Sequence, residues 1–207
     1  DDTIRIGGCG GNAHADDLLM VSKVIERLVK EYDGKVIFET MGMLRQELAG
    51  VFPMAPTSND SCPSCGFEGT LHHFPGEAYD NFPQALASHG WDIAIAPVID
   101  NAFGNCKSDL KIKEYSALGF PVVASAVRPY RDALKAGAPI LLAETYEEWY
   151  TALKRLIDDA GERQSMSRKA KEWAEGNWIQ DRIFEHFEAY QDTLRRYTQV
   201  VGPRASH

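Results

Sequence analysis

Short, mostly apolar segments alternate with amphipathic segments along the chain. The apolar segments are rich in β-branched residues and are expected to form strands, at residues 3–7, 36–39, 71–74, 93–96, 122–124 and 140–143. They alternate little in polarity, as is typical of parallel strands that are buried on both faces. The pattern therefore predicts an α/β fold: a doubly wound, Rossmann-like parallel sheet with helices on both faces.

Apolar residues recur at helical spacing between these strands. The expected helices cover residues 18–29, 79–86, 107–118, 146–157 and 163–173, with a short helix opening at Arg128 and a terminal helix over 178–200. Ser108 and Asp109 offer an N-terminal cap for helix 107–118, and Gly119 is placed to end it. No repeat or linker divides the sequence, so we expect one domain over residues 1–207.

Composition narrows the range of functions. The 207 residues are 44% hydrophobic and 25% charged, which suffices for one sizeable core. A formal net charge of −8 argues against a surface for nucleic acid or an anionic membrane. No segment approaches the roughly 20 apolar residues of a membrane helix, and the start does not resemble a signal peptide. The sequence also starts without methionine, so we expect it to be part of a longer protein. We expect that protein to be cytoplasmic.

The loop after strand 93–96 is the main candidate for a ligand site. In an open parallel sheet, the loops at the carboxyl ends of strands build the site, and a helix N-terminus favours an anion. Lys107 and Lys111 would lie one turn apart, where two ammonium groups can meet a diphosphate. Glu114 lies three residues further on and can accept hydrogen bonds from vicinal hydroxyls, such as those of a ribose. The alternative is a solvated lysine-rich face paired with Glu114.

A second loop, after strand 3–7, is rich in glycine. Gly7, Gly8, Gly10 and Gly11 permit close approach of the backbone, so this loop can bring amides to a pyrophosphate. The loop lacks the Gly-Lys-Ser/Thr of a Walker loop. The glycines also do not have the GxGxxG spacing of a dinucleotide-binding loop, so the sequence gives little support to a dehydrogenase.

Residues 55–69 are rich in proline, serine, glycine and asparagine, and are predicted to form a long loop insertion. Cys62 and Cys65 within it have the spacing of half a zinc ribbon, and His72 and His73 are the nearest nitrogen ligands. A structural zinc and a reduced or oxidised cysteine pair both stay open here. No metal is assigned to the ligand site.

The sequence around the two lysines resembles a known family. Residues 105–115, NCKSDLKIKEY, and the continuation ALGFPVVAS at 117–125 are similar to the donor-binding half of GT-B retaining glycosyltransferases of the glycogen-synthase-like group. The last glutamate of that family's Glu-x(7)-Glu motif binds the ribose of the donor nucleotide, and Glu114 stands at its position. Cys106 replaces the first glutamate, which leaves the donor sugar and the retaining or inverting outcome undetermined. A glutamate at 106 is expected to bury a charge unless a donor meets it, so in the full-length enzyme Cys106→Glu should lower transfer, whereas Cys106→Ser should change it little.

The glycine loop carries the second part of the resemblance. Residues 10–18, GGNAHADDL, are similar to the G-S-x-x-H-x-x-D-L opening of the family's donor domain. His14 is then either a polar contact near the donor or the cap of the helix that it precedes. The resemblance implies a donor site formed by Gly10, Gly11, Asn12, His14, Asn105, Cys106, Lys107, Ser108, Asp109, Leu110, Lys111 and Glu114. Of these, Lys107, Lys111 and Glu114 would carry the catalysis.

The resemblance covers most of the chain and implies the C-terminal, nucleotide-sugar-binding domain of a glycosyltransferase. Such an enzyme moves a sugar from a nucleotide diphosphate sugar to a hydroxyl of a glycan or lipid-linked glycan, here in surface-polysaccharide assembly and without a cofactor. An N-terminal acceptor domain would be missing, so the fragment alone is expected to be inactive. We expect no nucleic-acid partner, and a location in the cytoplasm or at the inner face of the membrane. The alternatives are a non-catalytic nucleotide- or sugar-binding module and a GT-B nucleotide-sugar epimerase.

Overall fold

The computed structural model describes residues 3–11, 14–42, 71–78 and 80–177, with 191–192 and 195–196. The predicted loop insertion at 55–69, including Cys62 and Cys65, lies outside the described residues. So do Asn12 and nearly all of the predicted terminal helix 178–200.

The described strands form one parallel sheet of six in the order β3-β2-β1-β4-β5-β6. They are β1 (Ile4–Cys9), β2 (Val36–Met41), β3 (Leu71–Phe74), β4 (Ile93–Ala96), β5 (Val122–Ser125) and β6 (Ile140–Ala143). The doubly wound, Rossmann-like fold predicted from the alternating pattern is therefore confirmed. Three strands run further than the apolar pattern indicated: β1 ends at Cys9, β2 at Met41 and β5 at Ser125.

Helices connect the strands and cover both faces of the sheet. They are α1 (Ala15–Glu31), α2 (Phe82–Ser88), α3 (Leu110–Leu118), α4 (Arg128–Lys135), α5 (Tyr146–Asp158) and α6 (Ala160–Glu175). Helix α5 begins with a capping box, in which the Thr145 side chain and the Glu148 side chain each accept a backbone N–H of the other residue. Helix α3 ends at Gly119, whose φ of 75° is the left-handed C-cap predicted for that glycine.

Alternate residues of each strand feed two separate cores. Ile6, Phe38 and Ile95 point to the face that α1 and α5 cover, with Leu18, Leu28 and Leu153 from those helices. Cys9, Met41 and Ala96 point to the opposite face, where Ile112 and Tyr115 of α3 pack with Tyr130 of α4. This two-sided burial explains why the strands alternate so little in polarity.

Helix α3 begins at Leu110, so the prediction of a helix from residue 107 was wrong by one turn. A tight 3₁₀ turn, Gly104–Cys106, precedes it, and the Asn101 side chain accepts the Gly104 N–H at 2.7 Å. A side chain at Gly104 would put its Cβ 2.1 Å from the carbonyl oxygen of Ile99, so only glycine fits this close approach. Lys107 then takes an extended conformation, with φ −66° and ψ 163°.

The strand order places β1 beside β4 in the middle of the sheet. From β1 the chain proceeds to β2 on one side, and from β4 it proceeds to β5 on the other. The order therefore reverses between β1 and β4, and ligands of open α/β sheets bind at the carboxyl ends of strands at such a reversal.

Candidate functional site

A cleft of about 470 Å³ opens at this reversal point. Its walls come from the residues that follow the first four strands and from three helices: Gly10 and Gly11 after β1, Gly42 after β2, Gly76 and Glu77 after β3, Lys107 and Ser108 after β4, Phe82 of α2, Leu110, Lys111 and Glu114 of α3, and Tyr130 of α4. Both loops that the sequence singled out thus meet in one cleft. Its volume lies within the range of small-molecule sites.

The N-terminus of α3 offers unused hydrogen-bond donors to this cleft. No hydrogen bond to a described residue occupies the backbone N–H groups of Ser108, Asp109, Leu110 or Lys111. Asp109 is the N-cap by position, but its carboxylate pairs with Lys113 at 3.0 Å and caps no described amide. The free amides and the helix dipole together favour an anion here.

Lys111 and Glu114 project from the first turns of α3 into the cleft. Both are half-buried, and neither side chain makes a hydrogen bond or ion pair with any described residue. Burial lowers the pKa of Lys111, although Cys9, Asp17 and Glu114 nearby oppose the shift. Burial raises the pKa of Glu114, and the charge of Lys111 opposes this. The alternative of a lysine-rich surface face paired with Glu114 therefore does not describe Lys111.

Lys107, in contrast, already has a partner. Its ammonium donates to Oδ2 of Asp17 at 2.8 Å, across the cleft from the loop that carries it. Asp17 is 5% exposed and also accepts the amide of Ile99 at 2.8 Å. Burial opposes the ionisation of Asp17, but hydrogen bonds from His14, Lys107 and Ile99 lower its pKa to about 2. Asp17 is therefore a carboxylate that holds both loops of the cleft.

His14 stands at the N-cap position of α1 but forms no side-chain cap with the described residues. Its Nδ1 lies 2.9 Å from Asp17 Oδ2, and 3.4 Å from Lys107 Nζ. The imidazole also lines the cleft. Of the two roles considered for His14, capping is not observed, and contact with the donor stays a prediction.

The glycine loop runs along the cleft floor. The Gly10 N–H donates to the Met41 carbonyl at 3.0 Å, which holds the loop at the ends of β1 and β2. Gly42 has a φ of 81°, and a Cβ there would lie 2.8 Å from the Gly10 carbonyl oxygen. At Gly11 an added Cβ would have no described atom within 4 Å, so that residue faces open space.

Three residues predicted to bind the donor lie away from the cleft walls. Cys106 is an exposed free cysteine. The Asn105 side chain is used within the fold, because its Oδ1 accepts the amide of Arg128 at 2.8 Å and its Nδ2 donates to Asp100. Asp109 pairs outward with Lys113. Their contact with a donor stays a prediction.

Sequence reasoning missed two cleft residues that matter chemically. Tyr130 lines the cleft with no hydrogen bond from its hydroxyl to any described residue, and burial raises its pKa. Cys9 lies on the floor, with Sγ 3.3 Å from the Tyr115 hydroxyl, and burial raises the pKa of its thiol. Tyr130 lies at the start of the helix that follows β5, next to Pro129. Its position just after the carboxyl end of a strand is the sequence signal that could have identified it as a site residue.

The described residues contain neither a membrane-spanning helix nor a cluster of metal ligands. None of the helices there has the length and apolar character needed to cross a bilayer. In the same part of the chain, no three histidine, cysteine or acidic side chains are grouped to hold a metal ion.

The fold and the position of the cleft define a Rossmann-like α/β domain of the kind found in GT-B glycosyltransferases. A trehalose-6-phosphate synthase of Burkholderia multivorans matches with a TM-score of 0.66 and 14% identity over 100% of this chain and 45% of that one. WaaG, a glycosyltransferase involved in lipopolysaccharide biosynthesis, matches with a TM-score of 0.64 and 13% identity over 86% and 44%. HepE of Anabaena, in complex with UDP and glucose, matches with a TM-score of 0.61 and 13% identity, over 90% of this chain and 48% of that one.

At this level of identity, the structural likeness establishes the fold. The chain spans less than half the length of each of these three proteins. No protein-family model matches the sequence, and no curated protein matches it.

Proposed function

We propose that the chain is the donor-binding half of a glycosyltransferase and that its cleft binds a nucleoside diphosphate sugar. The observation that carries the proposal is the pair Lys111 and Glu114, a half-buried cation and a half-buried anion without partners among the described residues. Charged groups withdrawn from water are costly unless a ligand or the protein compensates them. A diphosphate beside Lys111 and a ribose beside Glu114 would compensate both.

The free amides at the start of α3 support the same assignment. A diphosphate seated there would accept hydrogen bonds from the Ser108 to Lys111 backbone and from the Lys111 ammonium. During transfer, negative charge develops on the departing diphosphate. Donors already fixed at that position stabilise the charge without reorganisation, which is how the site would accelerate the reaction.

The finer parts of the proposal come from the resemblance in sequence and from the structural neighbours. HepE in complex with UDP and glucose supports a nucleotide sugar as donor, and WaaG supports a role in surface-polysaccharide assembly. We extend the proposal to transfer onto a hydroxyl of a glycan, in the cytoplasm, with the acceptor bound by a second domain. The exposed Cys106, at the position of the family's first glutamate, favours a non-catalytic nucleotide-binding module as the second candidate.

Calorimetric titration of the full chain with UDP, GDP, ADP and dTDP tests donor binding. Lys111→Ala should weaken the best nucleoside diphosphate by about 1.5–3 kcal/mol, the range for a charge-assisted hydrogen bond. Lys113→Ala is the matched control, because Lys113 is two residues away on α3 and pairs with Asp109. Equal affinity in the wild type and Lys111→Ala would remove Lys111 from the site.

Glu114→Gln tests the ribose contact separately. It should weaken the nucleoside and the nucleoside diphosphate alike, and leave pyrophosphate binding nearly intact, because its partner is the sugar. Equal losses for all three ligands would contradict that role. Incubation of the longer, natural protein with nucleotide sugars then distinguishes a transferase, which consumes the donor, from a module that only binds it.

A further inference from the structure

The Tyr130 side chain is the one polar group of α4 that reaches the cleft among the described residues. Tyr130 is 2% exposed, yet its hydroxyl has no hydrogen-bond partner in the described part of the chain. Some side-chain oxygen and nitrogen atoms are fully buried without a hydrogen-bond partner, but the Tyr130 hydroxyl oxygen is not one of them. It therefore keeps access to the cleft that its side chain lines. Buried tyrosine hydroxyls usually find a partner, and here the partner has to come from whatever fills the cleft.

The loop that precedes α3 fixes the position of this tyrosine. Asn105 Oδ1 accepts the Arg128 amide at 2.8 Å, which fastens the first residue of α4 to the 3₁₀ turn. Pro129 follows in the first turn, where its fixed φ suits the helix. Tyr130 is thus held relative to the same loop that leads into α3, and its ring packs in the core beneath.

The surroundings of the hydroxyl indicate what it can bind. The acidic and thiol groups that act on it electrostatically include Asp17, Asp109, Cys9 and Glu114, so it lies near the N-cap of α3. Its burial, together with these groups, raises its pKa, and the phenol stays protonated at neutral pH. A protonated phenol that lines the same cleft as the free amides is a further hydrogen-bond donor for a ligand bound there.

We propose that the Tyr130 hydroxyl donates a hydrogen bond to an oxygen of the diphosphate bound at the N-terminus of α3. This inference rests on the proposed function. A phosphate oxygen only accepts, which suits the donors gathered here, whereas ribose hydroxyls suit the acceptor Glu114. Tyr130 of α4, the helix after β5, would therefore bind the diphosphate together with Lys111 of α3, the helix after β4.

Tyr130→Phe removes the hydroxyl and keeps the ring. Its affinity should be measured for pyrophosphate, for the nucleoside diphosphate that the wild type binds best, and for the corresponding nucleoside. We expect a ten- to hundredfold loss, on the order of that for a hydrogen bond to a charged group, for the two phosphate ligands and less than twofold for the nucleoside. Tyr146→Phe is the matched control, since Tyr146 begins α5 and is absent from the cleft lining.

A spectroscopic readout on the wild type keeps the test independent of the variant's folding. In protein labelled with ¹³C at the tyrosine Cζ, pyrophosphate should shift one resonance, the one missing from Tyr130→Phe. The absence of any tyrosine shift on saturation would overturn the inference.

The binding results separate the two proposals. Wild type and Tyr130→Phe with equal affinity for pyrophosphate would overturn the role of Tyr130 alone. Equal losses for all three ligands would also overturn it, because the hydroxyl would then act by shaping the cleft. A wild-type chain that binds no nucleoside diphosphate and no pyrophosphate would overturn the proposed function, and this inference with it.

Discussion

Lys107 Nζ lies 2.8 Å from Asp17 Oδ2, so the lysine predicted to meet a diphosphate already has a partner within the fold, and its contact with a diphosphate stays a prediction. The bond joins the loop after β4 to the first turn of α1, ninety residues apart in sequence. Lys111, four residues further on, has no such partner among the described residues. The two lysines therefore differ, because Lys107 holds two parts of the fold together and Lys111 has no partner among the described residues.

The first prediction separates these roles by stability. Lys107→Ala leaves the Asp17 carboxylate buried with fewer donors, and should lower the free energy of unfolding by about 2 kcal/mol. Lys111→Ala removes a partly desolvated charge that nothing described compensates, and should leave the free energy of unfolding unchanged or raise it. Urea denaturation of both variants at pH 7 measures the difference. Similar losses in the two variants would contradict the assignment.

The second prediction concerns acid. The pKa of Asp17 is about 2 in the folded protein, below its ordinary value of 3.8, so folding favours the ionised form. The stabilisation amounts to about 2 kcal/mol where it is complete, above about pH 5, and it is lost as the pH falls towards 2. Asp17→Asn cannot titrate. The difference in unfolding free energy between wild type and Asp17→Asn should therefore shrink between pH 5 and pH 2; a constant difference would show that Asp17 is not held ionised.

The sheet could be predicted from the sequence because most strands are short apolar runs, and β4 and β5, two of its inner strands, are buried on both faces. The ends of β1 and β2 could not. Gly8 and Cys9 continue β1 through backbone pairing with Thr40 and Met41, and glycine carries no hydrophobic pattern that would announce a strand. The start of α3 was misplaced because the turn before it depends on the close contact of Gly104 with Ile99, which is a tertiary contact.

The candidate site, like the fold, could be predicted from the sequence only in part. Lys111 and Glu114 reach the cleft because helical spacing sets them on one face, and that spacing is readable in the sequence. The pairing of Lys107 with Asp17 depends on the contact between the loop after β4 and the first turn of α1, which are far apart in the sequence. Tyr130 was missed for another reason: an aromatic residue at helical spacing usually packs in the core, and its ring does so while its hydroxyl reaches the cleft.

The third prediction compares two glycines, Gly7 within β1 and Gly11 in the loop that follows this strand. Gly7 lies under the Trp91 indole, and a Cβ at this position would come within 1.9 Å of it. Trp91 cannot easily move, because its Nε1–H donates to the buried Glu39 at 2.8 Å. Gly7→Ala should therefore lower the free energy of unfolding by about 3 kcal/mol or more.

Gly11→Ala is the matched control for that change, since a Cβ there meets no described atom within 4 Å. Its free energy of unfolding should stay within about 0.5 kcal/mol of wild type. Thermal or urea unfolding of the two variants side by side gives the comparison. A mild effect of Gly7→Ala would mean that the indole has room to shift.

The last prediction concerns the two described cysteines. Cys106 is exposed, whereas Cys9 is 3% exposed and burial raises the pKa of its thiol. Iodoacetamide at pH 8 should modify Cys106 within minutes and leave Cys9 unmodified until the protein unfolds, as peptide mapping by mass spectrometry would reveal. The expectation that Cys106→Glu lowers transfer concerns the full-length enzyme with its donor and stays a prediction, whereas in this chain the position is open to water. Cys106→Glu should therefore change the free energy of unfolding by less than about 0.5 kcal/mol, as Cys106→Ser should. Slow modification of Cys106, or a marked loss of stability in Cys106→Glu but not Cys106→Ser, would place this side chain in a closed environment.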